Sequence, residues 1–493
     1  MTTTDVQAPS GRPESPTPAT RWVALILLGE VVLSAVLGSI RLGHKSLWYD
    51  EGFSAMHASR GVGGVVDVAR HLDANMPLFA LVLAPWRTLG DGEAAMRSLS
   101  VVCGALTVVA VFLLAARLFD RVTGLVAGFL FAIAPFAVQY SQQLRGYSML
   151  LLLTVLGTWC FVNAIETRRT AWFVLYAVVA ALAAYAHLVA LFVIAAQAAS
   201  LLFYGLRRLP WGRLVLSAAI GAVVLVPLAA LILSAADNQG VTDTVTLGSI
   251  PRVAEEVAGG WALLVVLGGL SLVPVVLTVR GLRSEGPSPT TWRPALVVCG
   301  IVVPFLGVLG GALVMGRNWS ERYVIIILPA LVIGAAVAIR AIARQRLAAA
   351  VGLVVVITVL SVIEVTRWYD APPVDDWRAA TAAVLRGSTP DDGIVFCASP
   401  VRVPFEYYAL RTPVDRLPEP LSPDEPWGDG VHLDEVDSED TEAWATDPDR
   451  IWVVSRYEGT NPFGACDLDT SMAGRDLAVE RSVGGITLRR YDR

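Results

Sequence analysis

The chain has 493 residues, 55% apolar and 16% charged, with a mean hydropathy of +0.59 and a formal net charge of -5. A soluble globular chain carries about 25% charged residues. The composition therefore excludes an ordinary soluble domain and points to an α-helical polytopic membrane protein; no nucleic-acid partner is expected.

Residues 1–21 begin with a Thr/Pro/Ser-rich tract lacking an apolar core, which reads as a disordered tail. The run that follows, WVALILLGEVVLSAVLGSI, is too long for a signal-peptide core and lacks an obvious small-residue cleavage site. It is read as a retained first span. Apolar runs long enough to cross roughly 30 Å of hydrocarbon as helix then recur. The expected spans are 22–40, 97–116, 123–139, 147–165, 172–187, 188–205, 214–234, 258–279, 294–315, 322–341 and 347–364, eleven in all.

Arginines fix the expected orientation. Every second short loop carries them: Arg117 and Arg121; Arg168 and Arg169; Arg207, Arg208 and Arg213; Arg280, Arg283 and Arg293; Arg340, Arg344 and Arg346. Basic loops face the cytoplasm. Loops 41–96, 140–146, 235–257 and 316–321 then face outward. The amino terminus is placed inside and the carboxyl terminus outside, in the plasma membrane.

The stretch SLWYDEGFS, residues 46–54, sets Asp50 and Glu51 just after the first span. Charges that close to hydrocarbon are expensive unless something uses them. The other outward loops add Asp67, Arg70, His71, Asp73 and Asn75; then Gln139, Tyr140, Gln142, Gln143, Arg145 and Tyr147; then Arg317, Trp319, Glu321 and Arg322. His187 lies near the outer end of a span. Acids and arginines together at an outer membrane surface suit one chemistry well. A sugar on a polyprenyl phosphate keeps its lipid in the bilayer and its phosphate at the interface. A carboxylate can take the acceptor hydroxyl's proton, and arginine can stabilise the departing phosphate.

Residues 365–493 lack a spanning run. WRAATAAVLRG reads as a short amphipathic helix. GIVFCAS, RIWVVSRY, and the pair DLAVERSV and ITLRRYD around Gly484-Gly485 read as strands. A small α/β domain on the outer face follows, with acidic residues 419–449 as a long loop or insertion. Cys397 and Cys466 are candidates for a disulfide in this domain.

SLWYDEGFSA, DANMPLF, AAMRSLSVVCGAL, RVTGLVAGFLFAIAPFAVQYSQQLRGYSML, AYAHLV and ERYVIIILPAL occur in order over residues 22–345. Together they resemble the GT-C superfold membrane glycosyltransferases, and among these the bacterial protein-mannosyltransferase-like glycosyltransferase family 39 and its relatives. The resemblance implies a GT-C-like transmembrane catalytic domain over 22–364. It implies a hexosyltransferase moving a sugar, mannose by family name, from a polyprenyl-phosphate donor to a protein, lipid or cell-wall glycan hydroxyl, with inversion. Asp50 maps to the general base, with Glu51 beside it. The QxxRxY-like segment maps to Gln142, Arg145 and Tyr147, and its Arg contacts the donor phosphate. Beside the resemblance, the outer-face residues themselves are read with Arg322 joining Arg145 and Tyr147 on the donor phosphate, and Asp73, Asn75, His187 and Gln142 on substrate. Where the family often has Asp-x-His-Pro-Pro, this chain has Asp73-Ala74-Asn75-Met76-Pro77, so the usual His is Asn75. No Asp-x-Asp occurs in the first loop and no metal site is assigned; no cofactor is required, and a divalent cation is left open. The rival readings are a transporter or lipid flippase, which calls for inverted repeats and midplane charges, and a non-catalytic cell-envelope scaffold.

Overall fold

The computed structural model describes residues 18–71, 76–234, 249–315, 320–397, 399–414, 416–422, 426–428, 448–456, 472 and 474–493. A first helix, α1 (Pro18–Ser39), turns Trp22, Leu25, Leu28, Val32 and Val36 outward. That pattern suits a helix bathed in lipid, where every backbone group must bond within the helix.

The 41–96 loop is itself helical: α2 (Tyr49–Ser59), α3 (Gly61–His71) and α4 (Pro77–Trp86). The long α5 (Glu93–Leu118) re-enters the bundle. Next come α6 (Arg121–Ala132) and α7 (Pro135–Ser141), bent by 59° at a break before Pro135. Proline disfavours helical geometry in the residue before it, and Ala134 is extended. Asp120 caps α6, accepting from Thr123 N at 2.8 Å. The bundle continues with α8 (Tyr147–Thr167), α9 (Thr170–Ala186), α10 (Ala190–Ser200) and α11 (Trp211–Ser234). After the short α12 (Ser249–Ala258) come α13 (Trp261–Leu270), α14 (Leu272–Ser284), α15 (Pro289–Met315), α16 (Glu321–Val324), α17 (Leu328–Ala343) and α18 (Leu347–Asp370). Helices α5, α8 and α17 form the buried centre, while α1, α11 and α18 ring it with exposed apolar side chains.

All eleven expected apolar segments are helical. Eight helices among the described residues are long and apolar enough to cross a membrane, or nine if the α6–α7 pair is one span. The two remaining segments, Thr170–Ala186 and Ala190–Phe203, are shorter apolar helices separated at His187. At 1.5 Å per residue, 17 residues of α9 reach only about 25 Å. The chain is a multi-pass membrane protein.

Arginines expected as solvated topology markers make ion pairs. Arg117 and Arg293 hold Glu166 at 2.6 and 2.9 Å, and Arg340 and Arg344 reach Asp120 at 3.1 and 3.4 Å. These pairs lash helix ends together at the end of the bundle opposite Asp50.

The C-terminal region builds a five-stranded sheet flanked by α19 (Trp377–Gly387) and α20 (Ser399–Ala409). Its strands are β1 (Gly393–Phe396), β2 (Glu419–Ser422), β3 (Arg450–Arg456), β4 (Asp476–Val483) and β5 (Ile486–Asp492), in the order β2-β1-β3-β5-β4. β1 runs parallel to β2 and β3, while β5 is antiparallel to β3 and β4. Gly484 and Gly485, with φ of 50° and 80°, form the two-residue turn between β4 and β5. Two elements depart from the expectation. α20 lies between β1 and β2, and β2 occupies the start of the stretch read as a loop. Four residues of mixed polarity carry too little periodicity to announce a strand. Cys397 is disulfide-bonded; Cys466 lies outside the described residues.

The sheet domain is docked on the segment between α1 and α5. Tyr408 Oη accepts from Leu47 N at 2.7 Å, and buried Asp375 accepts from Tyr49 N at 3.0 Å and from Arg456. Gly52 permits the closest approach. A Cβ there would stand 2.7 Å from Pro404 Cβ of α20.

Candidate active site

Asp50 sits in the first turn of α2, just past Trp48, whose extended backbone opens the helix. Its Oδ2 accepts from Arg322 Nη1 at 2.6 Å and lies 3.7 Å from Arg145 Nη2. Its Oδ1 makes no hydrogen bond among the described residues. Arg145 is tied to α2 by donating to Asp50 O and Ser54 Oγ, both at 3.2 Å. Arg322 donates to Ser320 Oγ at 3.1 Å and lies over the rings of Trp48 and Tyr323. Three segments, from the α1–α5 connection, the α7–α8 turn and the start of α16, thus converge on one carboxylate.

Glu51 points elsewhere. It is 1% exposed and grips Arg97 of α5 through Nε at 2.8 Å and Nη2 at 2.6 Å. It also accepts from Leu144 N at 2.6 Å and from Trp48 N at 3.2 Å. With four hydrogen bonds, both its oxygens are occupied. Arg97 spends its remaining donors on the carbonyls of Leu42, Lys45 and Ser46. A charge pair this buried survives only when its donors and acceptors are matched, and here they are. The pair fixes α2, α5 and the α7–α8 turn relative to one another, so it positions Asp50 and Arg145.

Tyr147 is buried between Tyr140, at 5.0 Å between ring centroids, and His187, at 5.7 Å. Tyr323 closes the other side of His187 at 5.3 Å. The edge-on contacts, Tyr140 with Tyr147 and His187 with Tyr323, are favourable for aromatic rings. His187 sits at the break between α9 and α10. Its Nδ1 accepts from Val189 N at 3.2 Å, which assigns the proton to Nε2. That Nε2 is buried without a hydrogen-bond partner. Gln142 does not join the cluster: its amide donates to Ile40 O at 2.7 Å and accepts from Trp368 Nε1 at 2.8 Å. It latches α1 to α18. Asp73 and Asn75 lie outside the described residues, as do Arg317 and Trp319.

Three features were not singled out from sequence. Arg97 opens a spanning run, a placement that resembles an interfacial anchor. Glu256 of α12 accepts from Arg252 Nε at 3.1 Å and has Glu321 as a neighbour. Burial, then the neighbouring Glu321 charge, raise the Glu256 carboxyl above its ordinary range. His57, one α2 turn past Ser54, packs on Phe53 at 4.0 Å between ring centroids. Burial, then Arg145 and Arg60, push the His57 imidazole down to about 3. No group of three or more His, Cys, Asp or Glu among the described residues could hold a metal ion.

Residues 75–233 match the family model for dolichyl-phosphate-mannose-protein mannosyltransferase. No curated protein matches the sequence significantly. The solved structure of ArnT from Cupriavidus metallidurans in the apo state superposes with a TM-score of 0.62 at 14% identity, covering 96% of this chain and 98% of that one. The chain has the GT-C fold. The same ArnT bound to undecaprenyl phosphate gives 0.59 at 13% identity over 96% and 98% of the two chains. AglB from Archaeoglobus fulgidus, in complex with an inhibitory peptide and a dolichol-phosphate, gives 0.57 at 13% identity, over 96% of this chain and 74% of that one. The GT-C likeness runs through the sheet domain as well as the bundle, since the ArnT match spans nearly all of both chains.

Proposed function

We propose that this protein is a glycosyltransferase that moves a sugar from a polyprenyl-phosphate donor to an acceptor hydroxyl on the extracytoplasmic face. One observation carries the reading: a single carboxylate oxygen of Asp50 is held by Arg322 while Arg145 stands beside it, at the outer end of a GT-C bundle. Structures of this fold hold undecaprenyl phosphate in ArnT and dolichol-phosphate in AglB, which supports a lipid-phosphate donor here. The family model adds mannose as the first sugar to test.

In this reading Asp50 Oδ1 takes the proton of the attacking hydroxyl. The hydroxyl oxygen bonds to the anomeric carbon as the bond from that carbon to the lipid phosphate breaks. The product is inverted and the polyprenyl phosphate leaves. Arg322 and Arg145 supply two guanidiniums where the leaving phosphate gains charge, and such donors act strongly because they are already in place. His187 offers its unpartnered Nε2–H to a substrate oxygen, and Tyr147 keeps the His187 ring in place. Asp73 and Asn75 remain proposed substrate contacts. Glu51 acts through Arg97 and α2 as a positioning residue, and Gln142 likewise supports the scaffold.

The test is transfer in proteoliposomes supplied with polyprenyl phosphates bearing different radiolabelled sugars and a membrane and cell-wall extract as acceptor. Wild type transfers one of them. Asp50→Asn, folded and still binding donor, loses about 10²–10⁴-fold in rate, the size of a general-base contribution. Full transfer by Asp50→Asn would remove Asp50 from the chemistry.

A further inference from the structure

A polar cavity lies where two spans end beside the α1–α5 segment. It has a volume of about 560 Å3 and is bounded by the segment after α1 and the segment joining α18 to α19. Arg41, Lys45 and Arg378 bring cations to it, with the imidazole of His44 beside them; Asp370 and Asp376 bring acids.

These charges are not equally available. Arg378 is spent on Glu93 and on the carbonyls of Gly43 and His44. The Asp376 carboxylate caps α19, accepting from Ala379 N at 3.0 Å. Arg41 and Asp370 form an exposed pair at 2.8 Å, of a kind that contributes little. Lys45, the single lysine of the chain, has no ion-pair partner among the described residues. Its Nζ donates to Trp368 O at 2.5 Å and stands 3.5 Å from the centroid of the Trp368 ring. The exposed His44 ring has no partner among the described residues either. Burial, then the nearby Arg97, lower the Lys45 ammonium to about 8. Asp370 and Glu51 stand near enough to favour the charged form, yet neither pairs with the half-buried ammonium, whose direct contacts are a carbonyl and a ring.

The setting indicates which anion. α1 ends at Ser39 and α18 at Asp370, so the cavity lies at headgroup depth. Trp368 and Tyr369 stand at that level, as aromatic residues do at membrane surfaces. A lipid phosphate stands at this depth, and an ammonium gives it a charge-assisted hydrogen bond.

We propose that this cavity binds the phosphate of an anionic phospholipid headgroup through Lys45, with Arg41 and His44 completing the contact. The backbone here also holds the active-site scaffold, because the carbonyls of Leu42, Lys45 and Ser46 accept from Arg97, the partner of Glu51. A bound headgroup therefore stiffens the segment that fixes α2. The inference needs only that the chain spans a membrane and is independent of the reaction proposed above.

The experiment is native mass spectrometry of the full chain released from nanodiscs of phosphatidylcholine with or without dioleoylphosphatidylglycerol. Wild type retains phosphatidylglycerol over phosphatidylcholine, and Lys45→Gln lowers that retention about tenfold, as expected for losing a charge-assisted hydrogen bond. Arg41→Gln combined with His44→Ala gives a second reading if Lys45→Gln does not fold, and Arg168→Gln at the opposite end serves as control. Displacement of the lipid by inorganic phosphate would support the phosphate site while assigning it to free phosphate. Equal retention of the two lipids by wild type, or retention unchanged in both cavity variants, overturns the proposal.

Discussion

Arg322 and Asp50 stand 272 residues apart in the chain and 2.6 Å apart in space. Arg322 lies in the short helix that leads into α17, and Asp50 in the first turn of α2, so the bond clasps a late span to the segment between α1 and α5. Under the proposed mechanism Arg322 serves both the base and the leaving phosphate. Arg322→Ala should lower kcat about 10²–10³-fold, the size seen when a preorganised donor is removed. Arg322→Lys should restore only part, because lysine keeps the charge and loses the planar fork. Single-turnover transfer in proteoliposomes gives the rate directly; an unchanged rate in Arg322→Ala would refute its placement on the phosphate.

Glu51 and Arg97 make the opposite kind of pair, buried and fully bonded. Glu51→Gln strands the Arg97 charge and should destabilise the protein by about 3–5 kcal/mol. Replacing both, Glu51→Leu with Arg97→Met, should be less harmful than Glu51→Gln alone. Thermal unfolding in detergent micelles compares the three, and additive losses in the double variant would count against a closed pair.

Gly52 stands where α2 meets Pro404 of α20. Gly52→Val should cost about 1–3 kcal/mol through overpacking and loosen the sheet domain from the bundle. Limited proteolysis between α18 and α19 reports the loosening. Gly52→Ala with wild-type stability and proteolysis would show that α20 yields freely.

His57 predicts an acid limb in stability. Its ordinary value of 6.5 falls to about 3 in the folded protein because burial, then Arg145 and Arg60, disfavour the charged ring. Above pH 6.5 neither state is protonated and His57 is neutral to stability. As pH falls from about 6.5 toward 3 the unfolded chain takes up a proton that the folded one refuses, and stability is lost. His57→Phe should flatten that limb while leaving stability near pH 8 less affected. Unfolding midpoints across this window test it; an identical acid slope in both proteins would exclude His57 as its source.

Much of this site was legible in order but not in role. Asp50, Arg145 and Arg322 could be grouped from sequence because the arginine-rich loops sorted the others to one face. Glu51 and Gln142 could not be separated from them, since adjacency in sequence says nothing of direction on a helix. One step of about 100° along α2 turns Glu51 away from Asp50 and toward Arg97. Glu256 lay hidden because its neighbour Glu321 is distant in the chain.

Composition and the recurrence of apolar runs determined that the protein is a helical membrane protein with a mixed domain after its last span. Hydrocarbon admits few backbone solutions, so that conclusion needs no partner residues. Glycine-Glycine between alternating runs likewise determined the β4–β5 hairpin, a purely local matter of φ. The tertiary structure decided which carboxylate is held by arginines across the site and which is sealed inside. It also decided which apolar segments reach full spanning length and where the sheet domain rests. Each of those depends on side chains brought together from distant segments, and long-range packing leaves no signature in the spacing of residues along the chain.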